Sequence, residues 1–229
     1  VSSSSGNGSV KVAATCLGVQ LPAPKANYNI DLIFLGEGIN PSRQTVFSEA
    51  AGLWSAAVIG DLQNILVAQG EVPVTNAICG PDFTTPALPA GTIDDLLIFA
   101  KIAPIDGVGK ILAQAGPALI RGTTNDLPII GCMQFDEADV EALESDGTFN
   151  EVILHEMGHV LGFGSLWEPS QSNNINLLDE SCRTNTNATP GFKGAGAVTQ
   201  FNVLGKTGNP PVENNGGAGT RCSHWDEDF

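Results

Sequence analysis

Thr148-Phe149-Asn150-Glu151-Val152-Ile153-Leu154-His155-Glu156-Met157-Gly158-His159-Val160-Leu161-Gly162 is the stretch on which the reading of this chain turns. Thr148 with Glu151 three positions on has the form of a capping box, so a helix is expected to start near Phe149. Phe149, Ile153, Met157 and Val160 recur at helical spacing and give that helix a core-facing stripe. Gly162 supplies the stop, because glycine adopts the left-handed conformation that ends a helix. On such a helix His155 and His159 stand one turn apart on one face, where two imidazoles can grip one zinc ion. Glu156 then lies beside a metal-bound water of lowered pKa, and its carboxylate can accept and pass on the proton. This is the machinery of a metal-dependent peptidase. The chain has only 3 His, so two of them at this spacing around a Glu is a rare accident.

A catalytic zinc takes a third protein ligand and leaves its fourth position to water. The extended pattern His-Glu-x-x-His-x-x-Gly-x-x-His keeps its glycine here, at Gly162, but has Ser165 where the third histidine would stand. The remaining histidine is His224, far downstream in Gly216-Gly217-Ala218-Gly219-Thr220-Arg221-Cys222-Ser223-His224-Trp225. A large loop inserted after the glycine turn would return it to the metal. Asp226, Glu227 and Asp179 compete for the place; the histidine is preferred because imidazole suits zinc.

His155-Glu156-Met157-Gly158-His159-Val160-Leu161-Gly162-Phe163, a long insertion and then Ser223-His224-Trp225 resemble the leishmanolysin-type zinc endopeptidases of the metzincin clan. The resemblance is best from about Thr148 to Trp225. It implies His155, His159 and His224 as zinc ligands, Glu156 as general base, and protein or peptide substrates. It also implies an α+β fold: a metzincin-like catalytic lobe with a twisted, mostly parallel sheet and two long helices, plus an irregular, incomplete C-terminal lobe. Metzincins place a methionine in a tight turn beneath the zinc, downstream of the third histidine. Met133 and Met157 both lie upstream of His224. A truncated or clipped chain is therefore expected, with a separate C-terminal fragment of the same precursor as a partner.

Composition bounds the remainder. A chain of 229 residues with 42% hydrophobic content is enough for a real core in one domain or two packed lobes. The expected division is a tail or short pro-like segment over 1–28, a catalytic lobe over 29–162, and an irregular lobe carrying the third ligand over 163–229. A formal charge of −15 argues against nucleic acid and anionic membrane surfaces as partners. No stretch approaches the roughly 20 apolar residues of a membrane span. No signal peptide is visible at the start, and a mature, secreted or cell-surface protein is expected.

Five cysteines in an acidic, Asn- and Gly-rich chain point to an oxidising compartment. Cys182 and Cys222 bracket much of the insertion; a bridge there would hold the loop that carries His224 and contribute about 4 kcal/mol. Cys79 with Cys132 is the next pair, which leaves Cys16 as a buried thiol, an inhibitory zinc-binding switch or half of another bridge. Asn7 and Asn187 open glycosylation patterns, and the acidic cluster around Asp179 is a weak calcium candidate.

Along the chain, Val1–Ser9 reads as a flexible tail. Ile30–Leu35 is a strand, and Asn40-Pro41 opens a helix whose buried side is expected to be Val46, Ala50, Leu53, Trp54, Ala57 and Val58. Asp94–Ile102, Gly109–Ile120 and Leu127–Phe135 hold further strands, with Pro-rich loop between Val72 and Pro89. An exposed sheet edge near Lys110–Ala115 is expected to hold a substrate peptide as an added strand. From Ser170 to Asn215 periodicity fades, and an irregular floor of the cleft is expected. The alternative to a peptidase is an extracellular adhesion or binding module that keeps the scaffold without activity. Retention of Glu156 argues against it, since a purely structural site needs no carboxylate beside an open position.

Overall fold

The computed structural model describes residues 15–16, 19–20, 28–68, 83, 91–122, 126–169, 175–180, 189–217 and 219–226. The elements in chain order are β1 (Thr15–Cys16), β2 (Val19–Gln20), β3 (Ile30–Leu35), α1 (Pro41–Ala57), β4 (Ile65–Val67), β5 (Gly91–Ile93), β6 (Leu96–Ala103), β7 (Ala113–Ile120), β8 (Pro128–Asp136), α2 (Glu137–Asp146), α3 (Phe149–Leu161) and α4 (Ala195–Val203). The chain divides into two compact units, Val1–Leu119 with Pro128–Val160, and Ile120–Leu127 with Leu161–Phe229.

The first unit is built on a four-stranded sheet of order β3-β6-β8-β7. β3, β6 and β8 run parallel, in a register that pairs Ile33 with Phe99 and Phe99 with Cys132. β7 closes one edge as a hairpin with β8, bonded from Arg121 N to Leu127 O beside the connecting loop and from Asp136 N to Leu112 O at the far end. The sheet is mostly parallel, as expected. β6 and β8 read as nearly continuous apolar runs because both faces of the sheet are covered. On one face Leu97, Phe99, Ile130 and Cys132 pack with Val67, Ile93 and Phe83, the first two supplied by the antiparallel β4–β5 ribbon. On the other lie the helices, where Phe47 of α1, Phe135 of β8 and Phe149 of α3 meet edge to face.

α1 starts as its sequence demands: Asn40 accepts from Arg43 N at 3.0 Å and Pro41 takes the first helical position. Its buried residues are Phe47, Ala50, Ala51 and Gly52, not the expected Val46 and Ala57. The register set by Asn40 turns the Phe47–Ala50–Ala51–Trp54 row inward, and Ala57 is exposed. α2 is an addition to the expected order. Asp136 caps it by accepting from Ala138 N, and Gly147 ends it at φ 75°. Its sparse apolar content hid it, although the Asp cap and terminal glycine were in view.

The second unit has its own small core of Trp167, Leu178, Val212 and Cys222, with Phe192 and Trp225 stacked around Trp167. Isolated bridges join Leu178 to Phe192, Gly191 to Pro211 and Val212 to Trp225. This supports an irregular architecture, with one correction: α4 lies inside the stretch expected to lack regular structure. That helix buries no residue, so no apolar stripe was selected and no periodicity marks it. Cys79, Cys182, Asn7, Asn187, Glu227, the Val1–Ser9 tail and nearly all of the Pro-rich stretch lie outside the described residues.

Candidate metal centre

α3 runs from Phe149 to Leu161, as the capping signal and Gly162 foretold. Val152 N and Glu151 N bond to Thr148 O, and Gly162 turns out of the helix at φ 107°. The whole expected stripe of Phe149, Ile153, Met157 and Val160 is buried. Two glycines let the helix sit close to its neighbours. A Cβ on Gly131 of β8 would fall 2.1 Å from Val160 Cγ1, and one on Gly158 would fall 3.2 Å from the ring of Trp54. Trp54 also donates its indole N–H to Leu154 O at 3.0 Å. The rotation of α3 is thereby set by contacts on its inward side.

The paired histidines and Glu156 follow on the same helix. His155 Nε2 and His159 Nε2 lie 3.0 Å apart, with ring planes nearly perpendicular at 87°. Two nitrogens about 2.0–2.1 Å from one tetrahedral zinc stand about 3.3 Å apart, so this pair fits a shared ion. Glu156, between them, is only 8% exposed, and its Oε2 is buried with no hydrogen-bond partner among the described residues. Burial alone pushes this carboxyl up to about 7. An unpartnered buried carboxylate is costly in a purely structural setting, and a cation beside it would repay that cost.

His155 and Glu156 open onto a depression of about 350 Å³, whose other walls are Glu151 and Val152 of α3 and Leu112 and Ala113 at the sheet edge. Leu112 and Ala113 fall inside the edge segment singled out from sequence. Glu151, known there only as a capping residue, was missed as a wall; its position four residues before His155 was the available signal. The approach to that edge is fixed by buried acids that sequence reading also passed over. Asp136 accepts from Asp106 N and Gly107 N, and Asp139 accepts from Gly109 N.

His224 belongs to the second unit, where its Nδ1 lies 3.0 Å from Thr220 O. A carbonyl partner on one ring nitrogen orients an imidazole for metal binding through the other. Gly164, two residues past the helix-ending glycine, packs against the residue before this histidine: a Cβ there would meet Ser223 O at 1.9 Å. Of the competing ligands, Asp179 is a brace between loops: burial raises its pKa, but the hydrogen bonds it accepts, led by those from Gly191 N and Asn209 Nδ2, outweigh that and leave it lowered.

Paired histidines and a buried glutamate on one helix, backed by a mostly parallel sheet, form a donor set suited to a metal ion. The family model for leishmanolysin peptidases matches residues 61–228, and the chain belongs to that family, whose members are metallopeptidases and in general zinc-dependent. A search of curated proteins finds no match to the chain.

Proposed function

We propose that this protein is a secreted zinc-dependent endopeptidase, with His155, His159 and His224 as metal ligands and Glu156 as general base. The observation that carries the proposal is the convergence of His155 Nε2 and His159 Nε2 beside the buried, unpartnered Oε2 of Glu156. The packing of Gly164 on Ser223 supports His224 as the third ligand. When bound, zinc supplies a Lewis acid that polarises the scissile carbonyl and acidifies water.

The chain's own residues supply the remaining steps. β7, which begins at Ala113, is the edge strand along which an extended substrate backbone would hydrogen-bond. Glu156 takes the proton of the attacking water and returns it to the leaving amine. Its buried setting keeps the carboxyl basic enough for that role near neutral pH. Disulfides Cys79–Cys132 and Cys182–Cys222 are part of the proposal, and Cys132 and Cys222 are both buried. Five cysteines and a formal charge of −15 are what support the secreted part of the reading.

The test is cleavage of casein by the purified protein and its Glu156→Ala variant, with zinc measured in both. Cleavage by the parent alone, with one zinc in each, is the expected result. Zinc in both without cleavage by either would instead favour a binding module on the same scaffold. A chelator should abolish cleavage and added zinc restore it.

A further inference from the structure

In the second unit, the exposed pair Asn215-Gly216 lies in a turn packed against the residues that lead into His224. Gly216 holds φ 80°, a left-handed conformation that glycine adopts without strain. A Cβ on Gly216 would lie 3.1 Å from Cβ and Cγ2 of Thr220. Thr220 is the residue whose carbonyl oxygen lies 3.0 Å from His224 Nδ1. The missing Cβ also leaves the Gly216 nitrogen open to the side chain of Asn215. Among the described residues nothing accepts from Gly216 N, whereas Asn215 N donates to Glu213 Oε1 at 2.6 Å. Both ends of the turn are anchored to the segment that reaches His224. Glu213 N donates to His224 O at 2.9 Å, and Glu213 O accepts from Cys222 N at 2.8 Å. Gly217 O accepts from Thr220 N and Arg221 N.

We propose that Asn215 is a site of spontaneous deamidation, and that its isoaspartate product loosens the turn that supports His224. The Gly216 nitrogen attacks Asn215 Cγ; the N–Cγ bond forms, the Cγ–Nδ2 bond breaks, and Nδ2 leaves as ammonia with the proton from Gly216 N. Both groups belong to neighbouring residues of one chain, so the step is intramolecular and needs no captured reactant. Water then opens the cyclic imide. Opening at Cγ gives aspartate. Opening at the main-chain carbonyl gives isoaspartate, whose backbone runs through the side chain and is one carbon longer. That carbon falls between the Glu213 and Gly217 anchors and pulls one of them off its partners in 220–224. The modification is independent of the peptidase reading; only its effect on zinc rests on that reading, through His224 as a ligand.

The experiment ages the full chain at mildly alkaline pH, as parent, Asn215→Gln and Asn215→Asp, beside a synthetic peptide of residues 211–219 as the unfolded reference. Peptide mapping locates each amide-to-acid mass gain, and enzymatic methylation counts isoaspartate. In the folded parent, Asn215 is expected to convert at a rate close to the peptide's, with isoaspartate in excess over aspartate. The aged parent should unfold at a lower temperature than the fresh one and bind zinc about tenfold more weakly. Asn215→Gln, which still carries Asn7-Gly8, should keep its unfolding temperature on ageing. Asn215→Asp has the new charge without the longer backbone and should match the fresh parent. Asn215 left intact in the protein after the peptide has converted overturns the site. Conversion with no fall in unfolding temperature overturns its effect on the turn. A lowered unfolding temperature with unchanged zinc affinity upholds this inference and counts against His224 as a ligand.

Discussion

Trp54 and Gly158 are in close contact, so that a side chain on Gly158 would press on the indole: its Cβ would lie 3.2 Å from Cζ2 of Trp54, whose Nε1 donates to Leu154 O at 3.0 Å. Gly158 sits between Glu156 and His159, so the indole fixes the helix from behind at the point where it presents its paired histidines. Gly158→Val forces two methyls into the ring and is expected to destabilise by about 1–3 kcal/mol. Trp54→Phe keeps an aromatic ring there and removes the donor, at about 1 kcal/mol. Thermal unfolding with zinc content measured in parallel checks this. The valine variant should lose both stability and metal, and the phenylalanine variant mainly stability.

Gly131 plays the matching role on the sheet side. A Cβ there would meet Val160 Cγ1 at 2.1 Å and Gly116 O at 3.2 Å, while Val160 is fully buried. Gly131→Ala should therefore cost about 1–3 kcal/mol by overpacking. Adding Val160→Ala should recover part of that loss, so the pair will be non-additive in a double-mutant cycle followed by urea unfolding. Additive losses would show that the strain falls on Gly116 instead.

Asp136 gives the fold an acid-sensitive joint. Its carboxylate caps α2 at Ala138 N and holds Asp106 N and Gly107 N, and these backbone donors pull its pKa down to about 2. An ordinary unfolded aspartate titrates near 3.9. The folded value is the lower one, so the stabilisation is present in full above about pH 4 and is lost as pH falls towards 2. Asp136→Asn should be less stable than the parent at pH 7, with the gap in urea midpoint closing between pH 4 and pH 2. A gap that stays constant across that range would assign the effect to shape and not to charge.

What sequence made legible, and what it hid, divides along physical lines. The stripe Phe149–Ile153–Met157–Val160 and the pair His155–His159 were readable because helical periodicity puts each set on one face whatever packs against it. Ile30–Leu35, the strands around Leu96 and Ile130, and the stop at Gly162 likewise depend on local chemistry. The buried face of α1 was misjudged by about one position, because Val46 and Phe47 are both apolar and only the packing of Phe47 on Phe135 and Phe149 decides between them. Gly131 and the contact of Gly158 with Trp54 were silent for a related reason. A glycine's need for close approach is a property of its partner, and the partner is distant in sequence. Asp136 and Asp139 were passed over because their loop-holding bonds exist only once β8 and the segment after β6 are adjacent.

His224 follows directly on the peptide against which Gly164 packs. Gly164 has φ 75°, and a Cβ there would lie 1.9 Å from Ser223 O and 2.6 Å from its carbonyl carbon. Backbone cannot yield as a flexible side chain can, so Gly164→Ala must displace the peptide that leads into His224. Gly205 has a similar φ of 78° with nothing within 4 Å of an added Cβ. Gly205→Ala therefore suffers only the left-handed strain, about 1 kcal/mol, in the same unit. If His224 is a ligand, Gly164→Ala should weaken zinc binding about tenfold or more, read by competition with a chelating dye, as a misoriented ligand does. Gly205→Ala should leave zinc affinity close to the parent's while lowering the unfolding temperature. Equal zinc affinities in the two variants would remove His224 from the metal and return Asp226 or Glu227 to consideration.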